Sequence, residues 1–234
     1  MLKTLGKFIF MIQLGFKYIA IFKKTFFHPF ISLKPAYTQL SIDRQNYSKQ
    51  VLQFLNIELK IIGSLPSHNR VLYAINHRSL LDIIIMENVF SKNNKSGSWI
   101  AKQELLDSLI YGKFFEYSGC ISVDLENKKG LLSFFKNIKK TFKKVDTMNL
   151  YMFPEGERFK GDGIHSFQSG AAKIAKANKL TVAPVYINGK MEAVFENAPY
   201  KETFTVEVHI GNSISHENLE NEYNTFYNEI KKAY

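Results

Sequence analysis

From residue 70 onward the chain repeats one pattern, a short apolar run followed by a longer stretch with helical spacing. Residues 71–75, 99–101, 120–123, 150–153 and 182–187 are the short runs and read as buried strands. Residues 203–210, TFTVEVHI, alternate, with Phe204, Val206, Val208 and Ile210 on one face. Residues 79–90, 104–117, 128–145, 168–179 and 216–232 have helical spacing, and Gly119, Gly163, Gly170, Gly189 and Gly211 punctuate the series. Strands that alternate with helices predict an α/β fold with a central, mostly parallel or mixed sheet flanked by helices. No internal repeat or low-complexity segment interrupts it.

The N-terminal part obeys a different rule. Residues 8–22, FIFMIQLGFKYIAIF, are the most apolar stretch, broken only by Gln13 and Lys17. As a helix this run is about 22 Å long, against about 30 Å for a hydrocarbon core. No small-residue cleavage site follows it, and large aromatics continue at Phe26, Phe27 and Phe30. Lys3, Lys7, Gln13, Lys17 and Lys24 fall loosely on one side of a helical wheel. The run therefore predicts a membrane-interacting helical segment lying in the interface, with a tilted spanning helix as the second reading. Residues 1–55 are assigned to this segment and its connection, and residues 56–234 to the α/β domain.

Charge supports a lipid surface as partner. The chain carries a formal +10, and residues 1–60 hold nine Lys/Arg against two Asp/Glu. A basic N-terminus attracts anionic headgroups. No zinc-finger, RRM or KH pattern is present, which argues against nucleic acid. The single cysteine, Cys120, excludes an internal disulfide framework and a cysteine-based zinc site, and fits a reducing compartment.

Two constellations carry the chemistry. The first is Asn76-His77-Arg78-Ser79-Leu80-Leu81-Asp82, where a strand ends and a helix begins; ligands of open α/β sheets bind at such junctions. From the preceding turn the His77 ring can fold back onto the Asp82 carboxylate. That contact fixes the tautomer and leaves the other nitrogen as a base. The bland alternative has Asn76 or Ser79 capping the helix and His77 as a surface turn residue. Amides at the helix start are the expected oxyanion donors. The second constellation is Phe153-Pro154-Glu155-Gly156-Glu157-Arg158, again after a strand. Pro154 stops the ladder and Gly156 permits a tight turn. Arg158 suits a phosphate, while Glu155 either binds a substrate hydroxyl or holds Arg158. The alternative is an ordinary surface Glu–Arg pair. Lys102, at a third strand-to-helix junction, is either a second phosphate contact or a solvated lysine.

Taken in order, Asn76-His77-x-Ser79-x-x-Asp82, Phe153-Pro154-Glu155-Gly156-x-Arg158 and Ala183-Pro184-Val185-Tyr186 resemble the motifs of the lysophosphatidate acyltransferase family. Ala101-Lys102-x-Glu104-Leu105, Gly112 and Gly119-x-Ile121-x-Val123-Asp124 resemble that family's intervening motifs, and the similarity runs from about residue 56 to residue 212. The resemblance implies an acyltransferase of phospholipid biosynthesis in which His77 is the general base and Asp82 orients it. It implies that Lys102, Glu155, Gly156 and Arg158 help bind a glycerol phosphate. It further implies an acyl-CoA or acyl-carrier-protein donor, a lysophospholipid acceptor, no metal or other cofactor, and a place on the cytoplasmic face of the inner membrane. Two positions depart from the pattern: Leu125 stands where the family has an Arg after Val-Asp, and Gln168 where it often has a Lys. Both departures concern the acceptor headgroup, so a lysolipid other than lysophosphatidate is an alternative acceptor. An inactive lipid-binding protein is the alternative to an enzyme. No Gly-x-Ser-x-Gly, Walker A or Gly-x-Gly-x-x-Gly sequence is present, which argues against a serine hydrolase and against nucleotide cofactors.

Overall fold

The computed structural model describes residues 2–109, 111–123 and 128–233, with the side chains of helical residues 2–4 and 128–133 excepted. The five short runs form the parallel body of a seven-stranded sheet: β2 (Val71–Ile75), β3 (Gly97–Lys102), β4 (Ile121–Val123), β5 (Asn149–Met152) and β6 (Thr181–Ile187). β7 (Phe204–Ile210) pairs antiparallel to β6, and β1 (Ile57–Ile62) pairs parallel to β7, giving the order β1-β7-β6-β2-β5-β3-β4. The fold is thus mixed α/β. β2 lies centrally, with Tyr73 opposite both Ala183 and Tyr151, and its five residues are all buried. A strand covered on both faces can be apolar without alternation, as this one is.

Helices cover the two faces. On one lie α1 (Leu2–Phe26), α2 (Leu33–Leu55), α3 (Leu81–Lys92) and α8 (Met191–Asn197), around a core that includes Phe22, Leu40, Ile85 and Phe90. On the other lie α6 (Lys128–Lys144), α7 (Gly170–Asn178) and α9 (Leu219–Lys232), around Ile138, Leu150, Ala175 and Tyr223. α6 shows why its sequence is helical. Phe134, Ile138, Phe142 and Val145 are buried at helical spacing, while Lys136, Lys139, Lys140, Lys143 and Lys144 face solvent.

The stretch read as one helix over residues 104–117 is two short ones, α4 (Gln103–Leu106) and α5 (Gly112–Tyr117). The connection between the apolar segment and the body is itself helical, since α2 occupies most of it. α1 and α2 form a hairpin whose core is that of the body. Leu14, Tyr18 and Phe22 of α1 are buried, Phe10 stacks on Phe54 at 3.9 Å, and Phe22 meets Phe114 of α5 at 5.5 Å. Arg44 of α2 locks the hairpin down. Its Nε donates to Glu87 of α3 at 2.7 Å, Nη1 to the Ser118 carbonyl at 2.6 Å and Nη2 to the Gly97 carbonyl at 2.6 Å. Gly97 fits tightly there, since a Cβ would lie 2.4 Å from the Asn149 carbonyl oxygen and 2.7 Å from the Tyr151 ring. Among the described residues, one helical stretch, Leu5–Phe26, is long and apolar enough to cross a membrane.

Candidate active site

The carboxyl ends of the parallel strands bring the two constellations together. β2 ends at Ile75, and the side chain of Asn76 closes the gap to β6: its Nδ2 donates to the Ile187 carbonyl at 3.1 Å and its Oδ1 accepts from the Ile187 N–H at 2.7 Å. This bond pair, not a helix cap, is what Asn76 does, and it sets where the chain leaves the strand for His77.

His77 Nδ1 lies 3.0 Å from Asp82 Oδ2. The same oxygen accepts the backbone N–H groups of Arg78 at 2.6 Å and Ser79 at 2.8 Å, and Asp82 is wholly buried. A carboxylate fixed by two amides presents its lone pairs in one direction, so Nδ1 is the nitrogen that carries the proton and Nε2 keeps its lone pair. The His77 ring lies flat on Phe153, centroids 3.7 Å apart and planes 7° from parallel, and Phe153 stacks in turn on Trp99 at 5.2 Å. Among the described residues no hydrogen bond reaches Nε2, which is thereby left to accept a proton from a ligand. The amides expected to serve an oxyanion are spent otherwise: those of Arg78 and Ser79 point at Asp82, Leu81 N–H donates to Ser79 Oγ and Asp82 N–H to the Ser79 carbonyl.

The loop after β5 packs directly on this turn. Glu155 is fully buried; Oε1 accepts the His77 N–H at 2.7 Å and Oε2 the His165 N–H at 2.9 Å. Burial pushes its carboxyl up, against the two N–H donors and the nearby Arg78 and His77 that draw it down. Among the described residues nothing pairs Glu155 with Arg158; the carboxylate ties the two loops to each other instead. Gly156 turns the chain at φ +77°, and a Cβ there would lie 2.9 Å from Cγ of Gln168, so Gln168 sits against this turn. Arg158 and Lys102 are both exposed, Arg158 on the loop and Lys102 at the end of β3. Asp124 and Leu125 lie outside the described residues.

Three residues of this site escape a reading of spacing alone. Asn76 acts through the backbone of Ile187 on β6, His165 through its own N–H on the Glu155 carboxylate, and Arg78 through the loop 159–163. Asn76 and Arg78 stood inside the first motif; nothing in the sequence marked His165. Among the described residues no cluster of His, Cys, Asp and Glu is arranged to hold a metal ion.

The chain is similar in fold and in sequence to known proteins. In the solved structures, the 1-acyl-sn-glycerophosphate acyltransferase of Thermotoga maritima matches with a TM-score of 0.59 at 19% identity, over 96% of this chain and 94% of that one. That likeness concerns the fold. Among curated proteins, a 1-acyl-sn-glycerol-3-phosphate acyltransferase of Helicobacter pylori is 35% identical over 61% of this chain and 58% of its own length. The Escherichia coli protein of the same name is 25% identical over 57% of this chain and 53% of its own length. The match thus spans little more than half the length of these curated relatives. The family model described as Acyltransferase covers residues 56–188, more than half of the chain, from the start of β1 past the end of β6. With both constellations inside that span, the chain belongs to the acyltransferase family.

Proposed function

We propose that the protein transfers a fatty acyl chain from a thioester carrier, acyl-CoA or acyl-carrier-protein, to the free hydroxyl of a lysophospholipid in phospholipid biosynthesis. The observation that carries the reading is the His77–Asp82 contact of 3.0 Å at the carboxyl end of the sheet, with Nε2 unspent. The acceptor O–H gives its proton to Nε2 as its oxygen attacks the thioester carbonyl. The tetrahedral intermediate then expels the thiolate, which takes that proton back from the imidazolium. The new ester C–O bond forms, the C–S bond breaks, and no acyl-enzyme intervenes. General-base help of this kind contributes about 10²- to 10⁴-fold. Asp82 holds the ring and stabilises its charged form.

Arg158 and Lys102 are the cations at the sheet end for the acceptor phosphate, and Gly156 sets the turn that presents Arg158. Glu155 contributes by joining the His77 turn to that loop. Gln168 lies against Gly156, so a cation missing at 168 is missing close to Arg158. That placement favours a headgroup preference looser than one strictly for lysophosphatidate. The apolar outer face of α1 supports work at a membrane surface; the cytoplasmic side of that membrane is what the family resemblance implies.

Labelled acyl-CoA or acyl-carrier-protein incubated with a panel of lysolipids tests the proposal. The expected product is a labelled diacyl lipid, with lysophosphatidate among several acceptors used. Binding of lysolipid vesicles without acyl transfer to any acceptor overturns the enzymatic reading. Strict use of lysophosphatidate overturns the headgroup reading alone.

A further inference from the structure

Arg78 stands beside the candidate base, yet its side chain runs away from it. Its backbone N–H serves Asp82, while its guanidinium crosses to the loop after β5. There Nη1 donates to the Phe159 carbonyl at 2.7 Å, Nη2 donates to the Gly163 carbonyl, and the guanidinium carbon lies 4.8 Å from the centre of the Phe159 ring. The main chains meet at the same place, where Phe159 N–H donates to the His77 carbonyl at 3.0 Å. The rest of the loop has few ties. Glu157, Arg158, Lys160, Gly161 and Asp162 are exposed, and the nearest ion pair, Lys160 to Glu192, is a 3.7 Å contact between exposed groups. Among the described residues Arg158 makes no hydrogen bond and no ion pair.

The shape of the contact explains the residue type. Two carbonyls four residues apart on one loop, with a ring in reach of the same group, match a planar fork with several fixed donors. A lysine ammonium reaches one carbonyl and cannot lie flat on the ring. Among the described residues no carboxylate pairs with the Arg78 guanidinium, so its donors are spent on holding backbone.

The geometry points to Arg78 as a positioning residue: it clasps residues 159–163 onto the His77 turn and thereby sets Arg158 relative to the candidate base. This rests on the reading of Arg158 as an acceptor contact. Arg78 therefore acts on lysolipid binding through Arg158, not by touching the lipid.

The test uses the full chain as Arg78→Gln, Arg78→Lys, Arg158→Ala and the double variant Arg78→Gln/Arg158→Ala. Backbone hydrogen exchange over residues 157–163 and steady-state kinetics are measured on each. Arg78→Gln should speed exchange in that segment and raise the lysolipid KM by about 10- to 100-fold, with a smaller change in kcat and none in the donor KM. Arg78→Lys should fall between Arg78→Gln and the wild type. The double variant should bind lysolipid no worse than the weaker single variant, because both changes remove the same contact. Multiplying effects on KM mean that Arg78 meets the acceptor itself, and the proposal fails. Unchanged exchange with Arg78→Gln overturns the clasp while leaving the acyltransferase reading intact. Faster exchange with an acceptor KM indifferent to Arg158→Ala overturns the assignment of Arg158, and the positioning role with it. If Arg78→Gln does not fold, Phe159→Leu, which removes the plate under the guanidinium, carries the same comparison.

Discussion

At the scale of single residues, His77 is held in three ways: Phe153 by stacking, Asp82 at Nδ1 and Glu155 at the backbone N–H. His77→Ala should abolish acyl transfer while leaving the melting temperature within a few degrees, because the ring is a partner to the site more than to the core. Asp82→Asn keeps the shape but no longer favours the productive tautomer; the equivalent change in a serine protease costs about 10⁴-fold. Near-normal turnover by His77→Ala would remove the general base from the mechanism. Glu155→Gln separates stability from activity. An amide has one oxygen for two N–H donors, so the His77 turn or the His165 limb loses a bond, and turnover should fall at least about tenfold. Because burial raises the Glu155 pKa in the folded state, its carboxyl binds a proton better folded than unfolded. Its contribution therefore favours folding as pH falls through that raised value and opposes folding above it. Glu155→Gln should remove this pH-dependent contribution, seen as a flatter melting-temperature profile through the upper carboxylate range; a profile unchanged from wild type contradicts the assignment.

The same residues show how much of the site was readable at the start. His77 and Asp82 are five apart, and a turn leaves them few relative positions, so local spacing carried their pairing. The bonds that join the two loops were not legible: Glu155 to His77 and Arg78 to Phe159 reach across 78 and 81 residues of sequence. Only the order of strands β5, β2 and β6 across the sheet brings those loops side by side.

At the scale of elements, α2 is the instructive case. In sequence its residues are assigned only to a connection; Ser41, Asp43, Arg44 and Ser48 interrupt the apolar spacing, yet all four are buried. Apolar periodicity cannot find a helix whose inward face carries a hydrogen-bonding network, and Pro35 sits in the first turn, where a missing N–H costs little. The parallel strands were legible for the opposite reason, since β2 and β5 are buried along their whole length. The network predicts its own weakness. Arg44→Ala strips Glu87 of its guanidinium partner inside the core and frees the Ser118 and Gly97 carbonyls, a loss of about 3–5 kcal/mol in chemical denaturation. Arg44→Ala with Glu87→Gln should recover part of it, because no uncompensated carboxylate then remains. A small effect of Arg44→Ala would mean that the hairpin is held by apolar packing alone.

At the scale of the whole molecule, the question is how a helix with two apolar sides sits on a folded body. One side of α1 packs on α2 and α5, and Gln50 of α2 donates to the Tyr18 hydroxyl at 2.6 Å. The other side leaves Leu5, Phe8, Ile9, Ile12 and Phe16 exposed by 41–70%, in a stripe at helical spacing. The stripe begins at the sheet end that carries His77, since Lys7 Nζ donates to the Phe195 carbonyl of α8, the helix that follows β6, at 2.8 Å. A helix over Leu5–Phe26 is about 33 Å long, so length permits spanning, in contrast to the shorter apolar run seen in sequence. Spanning requires α1 to leave the core residues Leu14, Tyr18 and Phe22 without their partners, whereas lying in the interface keeps them and buries the outer stripe. Truncating the segment is therefore a poor test, because it uncovers core. Phe8→Glu with Phe16→Glu alters only the outer stripe. Each phenylalanine contributes roughly 1.5–3 kcal/mol on burial, so the pair should lower vesicle binding at least about tenfold with little change in melting temperature. Wild-type binding should be stronger on anionic than on neutral vesicles, at about 1 kcal/mol per basic residue near the surface, and should persist in part at high salt. Transfer to vesicle-embedded lysolipid should fall in the double variant far more than transfer to a short-chain acceptor in solution. Topology is read with Thr4→Cys in a Cys120→Ser background, treated with an impermeant thiol reagent on sealed vesicles with the body outside. Labelling equal to that of a control cysteine on the body fits the interfacial helix; protection until the vesicles are lysed means that the chain spans, and then α1 must part from α2 on insertion.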